Sequence, residues 1–125
     1  MLFRSSQIYV TTREIVDKKP ATVVSFLKAL KASTADMMQN DLAAIFQRAS
    51  RDFDIPGIKN VDQLVALMKF TMENPWVSEG KENFLRNVPT LWAKANDQIR
   101  GAGFASVSDV NALYTNIYID QVLKS

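Results

Sequence analysis

The segment 8–11, with sequence IYVT, has the pattern of a β-strand. Its residues are β-branched or aromatic, and a polar turn follows it. Thr12 is a residue type that caps helices, so we expect a helical turn or two directly after it. No later segment predicts a second strand. The predicted strand therefore has no predicted partner for its backbone N–H and C=O groups.

The first half of the remaining chain is patterned for helices, with apolar residues recurring every three or four positions. Pro20 disfavours helical geometry at Lys19 and suits the first turn of a new helix. The polar residues 39–41 end that helix, and Asp41 is expected to cap the next one. The two apolar faces comprise Val23, Phe26, Leu27, Leu30, Met37 and Met38, then Leu42, Ile45, Phe46, Ala49 and Phe53.

A loop is expected at residues 52–60, where Pro56 and Gly57 are adjacent. The helix predicted after it, at 61–72, is unusually apolar. Leu67 and Phe70 widen its apolar stripe, which predicts burial on more than one side.

The last third of the chain predicts two more helical stretches. Residues 81–100 are patterned as a helix that Pro89 kinks or divides. The GAG sequence at 101–103 is a helix stop. Ser106 or Ser108 is expected to cap the final stretch. The predicted fold is therefore mainly α, with about five helices preceded by one short strand, in a single domain spanning residues 1–125.

Composition places the chain among ordinary globular domains and excludes several function classes. Of its 125 residues, 47% are apolar and 22% are charged, and the net charge is +2 from 15 basic and 13 acidic residues. The two signs are interleaved, so neither a nucleic-acid partner nor an anionic membrane surface is indicated. No apolar run approaches the roughly 20 residues of a membrane span. The N-terminus also lacks the pattern of a secretory signal.

Candidate chemistry is sparse in this sequence. The chain has no cysteine and no histidine, which removes thiolate sites, the commonest general base and the commonest metal ligand. The carboxylates are scattered, and no Gly-rich phosphate loop or catalytic motif is present. We therefore predict no catalytic residue, no metal site, no cofactor and no enzyme activity.

The two tryptophans have different sequence contexts. Trp92 stands at core spacing within a predicted helix, so we expect it to pack inside the domain. Trp76 lies in a proline-broken loop, where an aromatic side chain can fill a hydrophobic groove or lie on a partner surface.

Three segments resemble one family of proteins. Residues 9–33, YVTTREIVDKKPATVVSFLKALKAS, look like the strand, cap and Pro-started helix of ABC-importer solute-binding proteins of the nitrate, sulfonate, taurine and thiamine-pyrimidine group. Two later segments resemble later elements of the same family. They are residues 37–46, MMQNDLAAIF, and residues 91–124, which include a helix ending in AG. In the order of its elements the resemblance covers nearly all of the chain, and its first motif is the most specific.

The resemblance implies the C-terminal portion of a two-lobed α/β clamshell, the type II fold of periplasmic binding proteins. The strand 8–11 would join a sheet whose other strands are encoded upstream of Met1. The full protein would be periplasmic or lipid-anchored outside the cell. It would capture a small solute, anionic or pyrimidine-like, and deliver it to the permease of the importer. Thr11 and Thr12, at the strand end, are the candidate ligand contacts, and a helix cap is the other role open to Thr12.

A second interpretation of the sequence is an independent helical domain for protein interaction or dimerisation. A free strand edge at residues 8–11 would invite pairing, so a homo-oligomer formed through that edge is expected. An enzyme would require a converging pair of carboxylates in contrasting environments, and the spacing of acidic residues does not predict one.

Overall fold

The computed structural model describes residues 8–53 and 60–124, and these residues form helices joined by short loops. Six α-helices are present: α1 (Arg13–Lys18), α2 (Pro20–Gln39), α3 (Leu42–Phe53), α4 (Val61–Glu73), α5 (Pro89–Gly101) and α6 (Ile117–Lys124). Two 3-10 helices, Lys81–Asn83 and Val110–Leu113, lie between them. The mainly α class is confirmed, with six α-helices where about five were predicted.

The predicted strand at residues 8–11 is wrong. No strand occurs anywhere in the part of the chain that the structure describes. The backbone groups of residues 8–11 have no hydrogen-bond partner among the described residues. Strand propensity reports how a segment suits a pleated surface, and a strand forms only where a second backbone completes the ladder. The described residues therefore contain no free strand edge through which a second copy could pair.

The start of the helical region follows the local signals in the sequence. The Ile15 N–H donates to the Thr12 side-chain oxygen at 3.3 Å, so Thr12 caps α1 as predicted. Lys19 leaves helical geometry and Pro20 begins α2, as the proline restriction requires. The Ala43 N–H donates to Asp41 Oδ1 at 3.0 Å, which places the predicted cap at the start of α3.

The loop predicted at 52–60 lies largely outside the described residues, including Pro56 and Gly57. Where the structure resumes, Asn60 accepts a hydrogen bond from the Gln63 N–H at 3.0 Å and caps α4. The prediction that α4 is buried on several sides is wrong. Leu67 and Phe70 are 60% and 61% exposed, so the widened stripe faces solvent.

Pro89 divides the predicted helix 81–100. It begins α5, and the residues before it form a 3-10 turn and a loop in which Leu85 has a positive φ of 66°. The predicted stop at 101–103 is confirmed, because α5 ends at Gly101 and Gly103 has φ +81°. Neither Ser106 nor Ser108 caps the element that follows α5, the 3-10 helix Val110–Leu113. Asp109 accepts a hydrogen bond from the Asn111 N–H at 3.0 Å.

The fully buried core is small for a chain of this length. Helix α2 packs against α1 and α6, and α3 packs against α4. The buried apolar side chains of the described region are Leu42, Ala95, Ile119 and Val122. Most of the predicted apolar faces are therefore only half-buried. None of the helices within residues 8–53 and 60–124 has both the length and the apolar character needed to span a bilayer.

Candidate functional site

An open cleft with a volume of about 780 Å³ runs between the N-terminal half of α2 and the segment leading into α5. Residues 8–11, which are exposed, form its rim, and the buried Ile119 of α6 also lines it. The walls are mainly aliphatic and aromatic. We refer to this feature as the cleft.

One wall of the cleft combines the rim segment with α2. The ring of Tyr9 meets the ring of Phe26 edge to face, with centroids 5.4 Å apart. Val10 is 91% exposed and Phe26 is 49% exposed. This wall therefore presents large apolar side chains to solvent rather than to the domain's own core.

The opposite wall comes from the segment between α4 and α5. Trp76 packs against Phe84 with ring centroids 5.4 Å apart, and both rings line the cleft. Trp76 therefore forms part of a groove wall, and the roles of filling a groove or lying on a partner surface remain predictions. Trp92 is half-buried, as expected of a packing residue, and its ring stacks on Tyr114 at 5.4 Å.

Asn87 and Asn116 hold this wall onto the start of α6. The Asn87 N–H donates to Asn116 Oδ1 at 2.8 Å, and Asn116 Nδ2 donates to the Asn87 carbonyl at 2.8 Å. Asn87 Oδ1 also accepts from Trp92 Nε1 at 3.2 Å. The reciprocal pair fixes the loop before α5 and orients the indole of Trp92.

Arg86 and Asp120 form an ion pair between the cleft wall and α6, with Nη1 and Oδ1 3.1 Å apart. Both side chains are about one-third exposed. Asp120 Oδ1 itself is shielded from solvent, and no hydrogen bond reaches it from the described residues. The guanidinium of Arg86 therefore supplies the compensating charge for a carboxylate oxygen that solvent does not reach.

Two further charged residues line the cleft. Glu79 is half-buried on the wall that contains Trp76 and Phe84, which we call the aromatic wall, and Lys94 is exposed on α5. Neither belongs to an ion pair within residues 8–53 and 60–124. The cleft therefore contains one acid and one base that have no ion-pair partner among the described residues.

The two predicted ligand residues occupy different positions. Thr11 is exposed and lines the cleft, whereas Thr12 does not line it and uses its hydroxyl to cap α1. A ligand contact by Thr11 remains a prediction. Sequence reasoning did not single out Arg86, Asn87 or Asp120, because their partners lie about 29 or more positions away and no spacing rule links them.

The chemistry available in the cleft suits binding. Apolar walls with a few polar groups are typical of sites that hold apolar or partly polar partners. No group of acidic residues in the described part of the chain converges in the way a metal ion requires.

No family model, curated protein or solved structure matches this chain.

Proposed function

We propose that this chain is the C-terminal part of a solute-binding protein of an ABC-type importer. It contributes to the capture of a small anionic or pyrimidine-like solute and to its delivery to the permease. The chain itself carries out no catalysis. The observation that carries the proposal is the open apolar cleft, because its exposed walls require a covering layer.

Two local features within the family-like segments support the proposal. In the family-like segment 9–33, a Thr-Arg-Glu turn precedes a Pro-started helix. Here Thr12 caps α1, and α2 begins at Pro20 and continues for 20 residues. At the other end, α5 stops at the glycines that the family-like segment 91–124 contains. The helix start at Pro20 and the stop at Gly101 support the proposal, whereas the strand that the family has before the turn does not form among the described residues.

The cleft supports the same proposal through its exposure. Solute-binding proteins hold their ligand between lobes, with contacts from many loops. In such a protein the remaining lobe structure would cover the cleft and provide most of the ligand contacts. The backbone groups of residues 8–11, which have no partner in the part of the chain that the structure describes, lie on the cleft rim, where that remaining structure would satisfy them.

The test is to read the nucleotide sequence upstream of the Met1 codon and to express the longest continuous frame. We expect an upstream stretch of alternating strands and helices that begins with an export signal. The protein expressed from this frame, the joined protein, contains the upstream stretch and the present chain. It should be a monomer and should bind at least one of nitrate, taurine, an alkanesulfonate or an aminopyrimidine in a calorimetric titration. An in-frame stop codon directly before Met1, with no related frame beyond it, overturns the proposal.

The second candidate function is an independent protein-interaction domain, and one observation favours it. Leu67 and Phe70 form an exposed apolar pair on α4, and neither residue lines the cleft. If α4 is the interaction surface, replacing Phe70 with Gln should abolish partner binding. Under the solute-binding proposal, the same change should leave solute affinity of the joined protein unchanged.

A further inference from the structure

Leu85 has a backbone conformation that its side chain disfavours. Its φ is 66°, and it is the one non-glycine residue of the described region with a positive φ. In this left-handed conformation Cβ approaches the following carbonyl oxygen, so glycine, and sometimes asparagine or aspartate, usually adopts it. The cost favours a negative φ by about tenfold. Interactions of neighbouring residues must therefore hold Leu85 in place.

The two residues after Leu85 provide that hold, because both are bonded to α6 or to the residue before it. Arg86 forms the ion pair with Asp120, with Nη1 and Oδ1 3.1 Å apart. The Asn87 N–H donates to Asn116 Oδ1 at 2.8 Å, and Asn116 Nδ2 donates to the Asn87 carbonyl at 2.8 Å. These contacts fix the chain on the C-terminal side of Leu85.

The ion pair is the contact that solvent and salt can weaken. The side chains of Arg86 and Asp120 are each about one-third exposed, and such pairs are screened by dissolved ions. Asp120 Oδ1 accepts no hydrogen bond from the described residues, so charge attraction alone joins it to Arg86. When that attraction is lost, only the bonds between Asn87 and Asn116 oppose the strain at Leu85.

The residue before Leu85 connects the strain to the cleft. Phe84 packs against Trp76 with ring centroids 5.4 Å apart, and Phe84, Leu85 and Arg86 all line the cleft. Rotation of φ from 66° to the usual value of about −60° redirects the chain at Leu85. Phe84 and Arg86 cannot both keep their present contacts after that rotation.

We infer that residues 84–87, held to Asn116 and Asp120, form a latch that closes the aromatic wall of the cleft. In the closed state the contacts with Asn116 and Asp120 keep Leu85 at a positive φ. In the open state Leu85 relaxes to a negative φ, the latch leaves α6, and the cleft widens. Release of the ion pair favours opening. The inference concerns this wall alone and does not depend on the proposed function.

The first test releases the ion pair. Asp120→Asn removes the charge with little change in shape, and the amide hydrogen of Asn87 should then exchange with solvent about fivefold faster. Fluorine NMR of fluorotryptophan-labelled protein should show the resonance of Trp76 moving towards its position in the unfolded protein. The matched control is Asp36→Asn, which removes the acid of the ion pair with Arg48 and should leave both signals unchanged.

The second test removes the strain. Leu85→Ala shortens the side chain and keeps the cost of the positive φ, whereas Leu85→Gly shortens it and removes that cost. The Asn87 amide should therefore exchange about tenfold more slowly in the glycine variant than in the alanine variant. At a position with negative φ the opposite order is expected, because glycine there weakens the structure. Added to Asp120→Asn, Leu85→Gly should return the exchange rate to within about threefold of the original, and Leu85→Ala should not.

Exchange measured at low urea concentrations distinguishes opening of the latch from unfolding of the domain. Latch opening exposes little surface, so the Asn87 rate should stay nearly constant, whereas the amides of residues 26–36 in α2 should accelerate. Three results would each overturn the inference. They are parallel acceleration of Asn87 and the α2 amides by urea, unchanged Asn87 exchange in Asp120→Asn, and faster exchange in Leu85→Gly than in Leu85→Ala.

Discussion

The side-chain amide of Asn96 exchanges two hydrogen bonds with the backbone of Val107. Asn96 Nδ2 donates to the Val107 carbonyl at 3.0 Å, and the Val107 N–H donates to Asn96 Oδ1 at 3.0 Å. Asn96 is a polar residue of α5, yet it is only 8% exposed. The amide therefore satisfies both backbone groups of a loop residue eleven positions away and fixes that loop against α5.

Replacing Asn96 with Ala should lower the free energy of unfolding by about 2–3 kcal/mol. The change removes two hydrogen bonds and leaves the N–H and carbonyl of Val107 without their partner. Urea unfolding followed by circular dichroism measures the difference. Gln63→Ala, an exposed amide on α4, is the control and should change stability by less than about 0.5 kcal/mol. Equal effects of the two variants would show that the Asn96 pairing contributes nothing.

Two glycines near the end of α5 should respond in opposite directions to alanine. Gly103 has φ +81°, and a Cβ placed there meets no atom within 4 Å, so its cost is backbone strain alone. Gly103→Ala should destabilise the protein by about 1 kcal/mol. Gly101 lies in α5, and a Cβ placed there also meets no atom within 4 Å. Gly101→Ala should therefore stabilise the protein by about 0.5 kcal/mol. Thermal unfolding of both variants checks the sign, and a shift in the same direction for both would contradict it.

Lys31 connects α2 to the C-terminal end of α6. Its ammonium donates to the Val122 carbonyl at 3.0 Å, and Val122 is fully buried. Lys31→Met keeps most of the aliphatic stem but removes this charged donor, and should cost about 1–2 kcal/mol in chemical unfolding. Lys28→Met, an exposed lysine on the same helix, should be close to neutral. If both lysine variants behave alike, the bond to α6 is not stabilising.

Thr11 and Thr12 are adjacent, but they should differ in their effect on α1. Thr12→Ala removes the cap oxygen and should weaken α1 by about 1 kcal/mol. Thr11→Ala removes an exposed hydroxyl that caps nothing and should have no effect on this helix. Amide hydrogen exchange at residues 15–18 is the measurement, because it reports opening of α1 directly. Faster exchange in the Thr11 variant would contradict the assignment of the cap.

Local sequence signals predicted the fold well where the outcome is decided within a few residues. Thr12, Pro20 and Asp41 each act on neighbours in the same turn, so their effects can be read without knowing the tertiary structure. Pro89 divided a predicted helix for the same reason. Helix boundaries in this chain are therefore largely a local property.

Features that depend on distant partners were not predictable from the sequence. The strand expected at residues 8–11 required a second backbone, and the described residues provide none. The apolar stripe of α4 indicated burial, yet Leu67 and Phe70 have no covering layer. Asn87 and Asn116 join across 29 positions, and neither residue type nor spacing indicates that pairing. The candidate site is formed mainly by such long-range relationships.

The positions of Trp76 and Trp92 give the cleft an intrinsic optical reporter. Both indoles line it, one against Phe84 and the other stacked on Tyr114. Anything that covers the cleft removes water from around these rings, so their fluorescence emission should move to shorter wavelength without any added label. A Trp92→Phe variant would leave a single emitter on the aromatic wall, which makes occupation of that wall visible on its own.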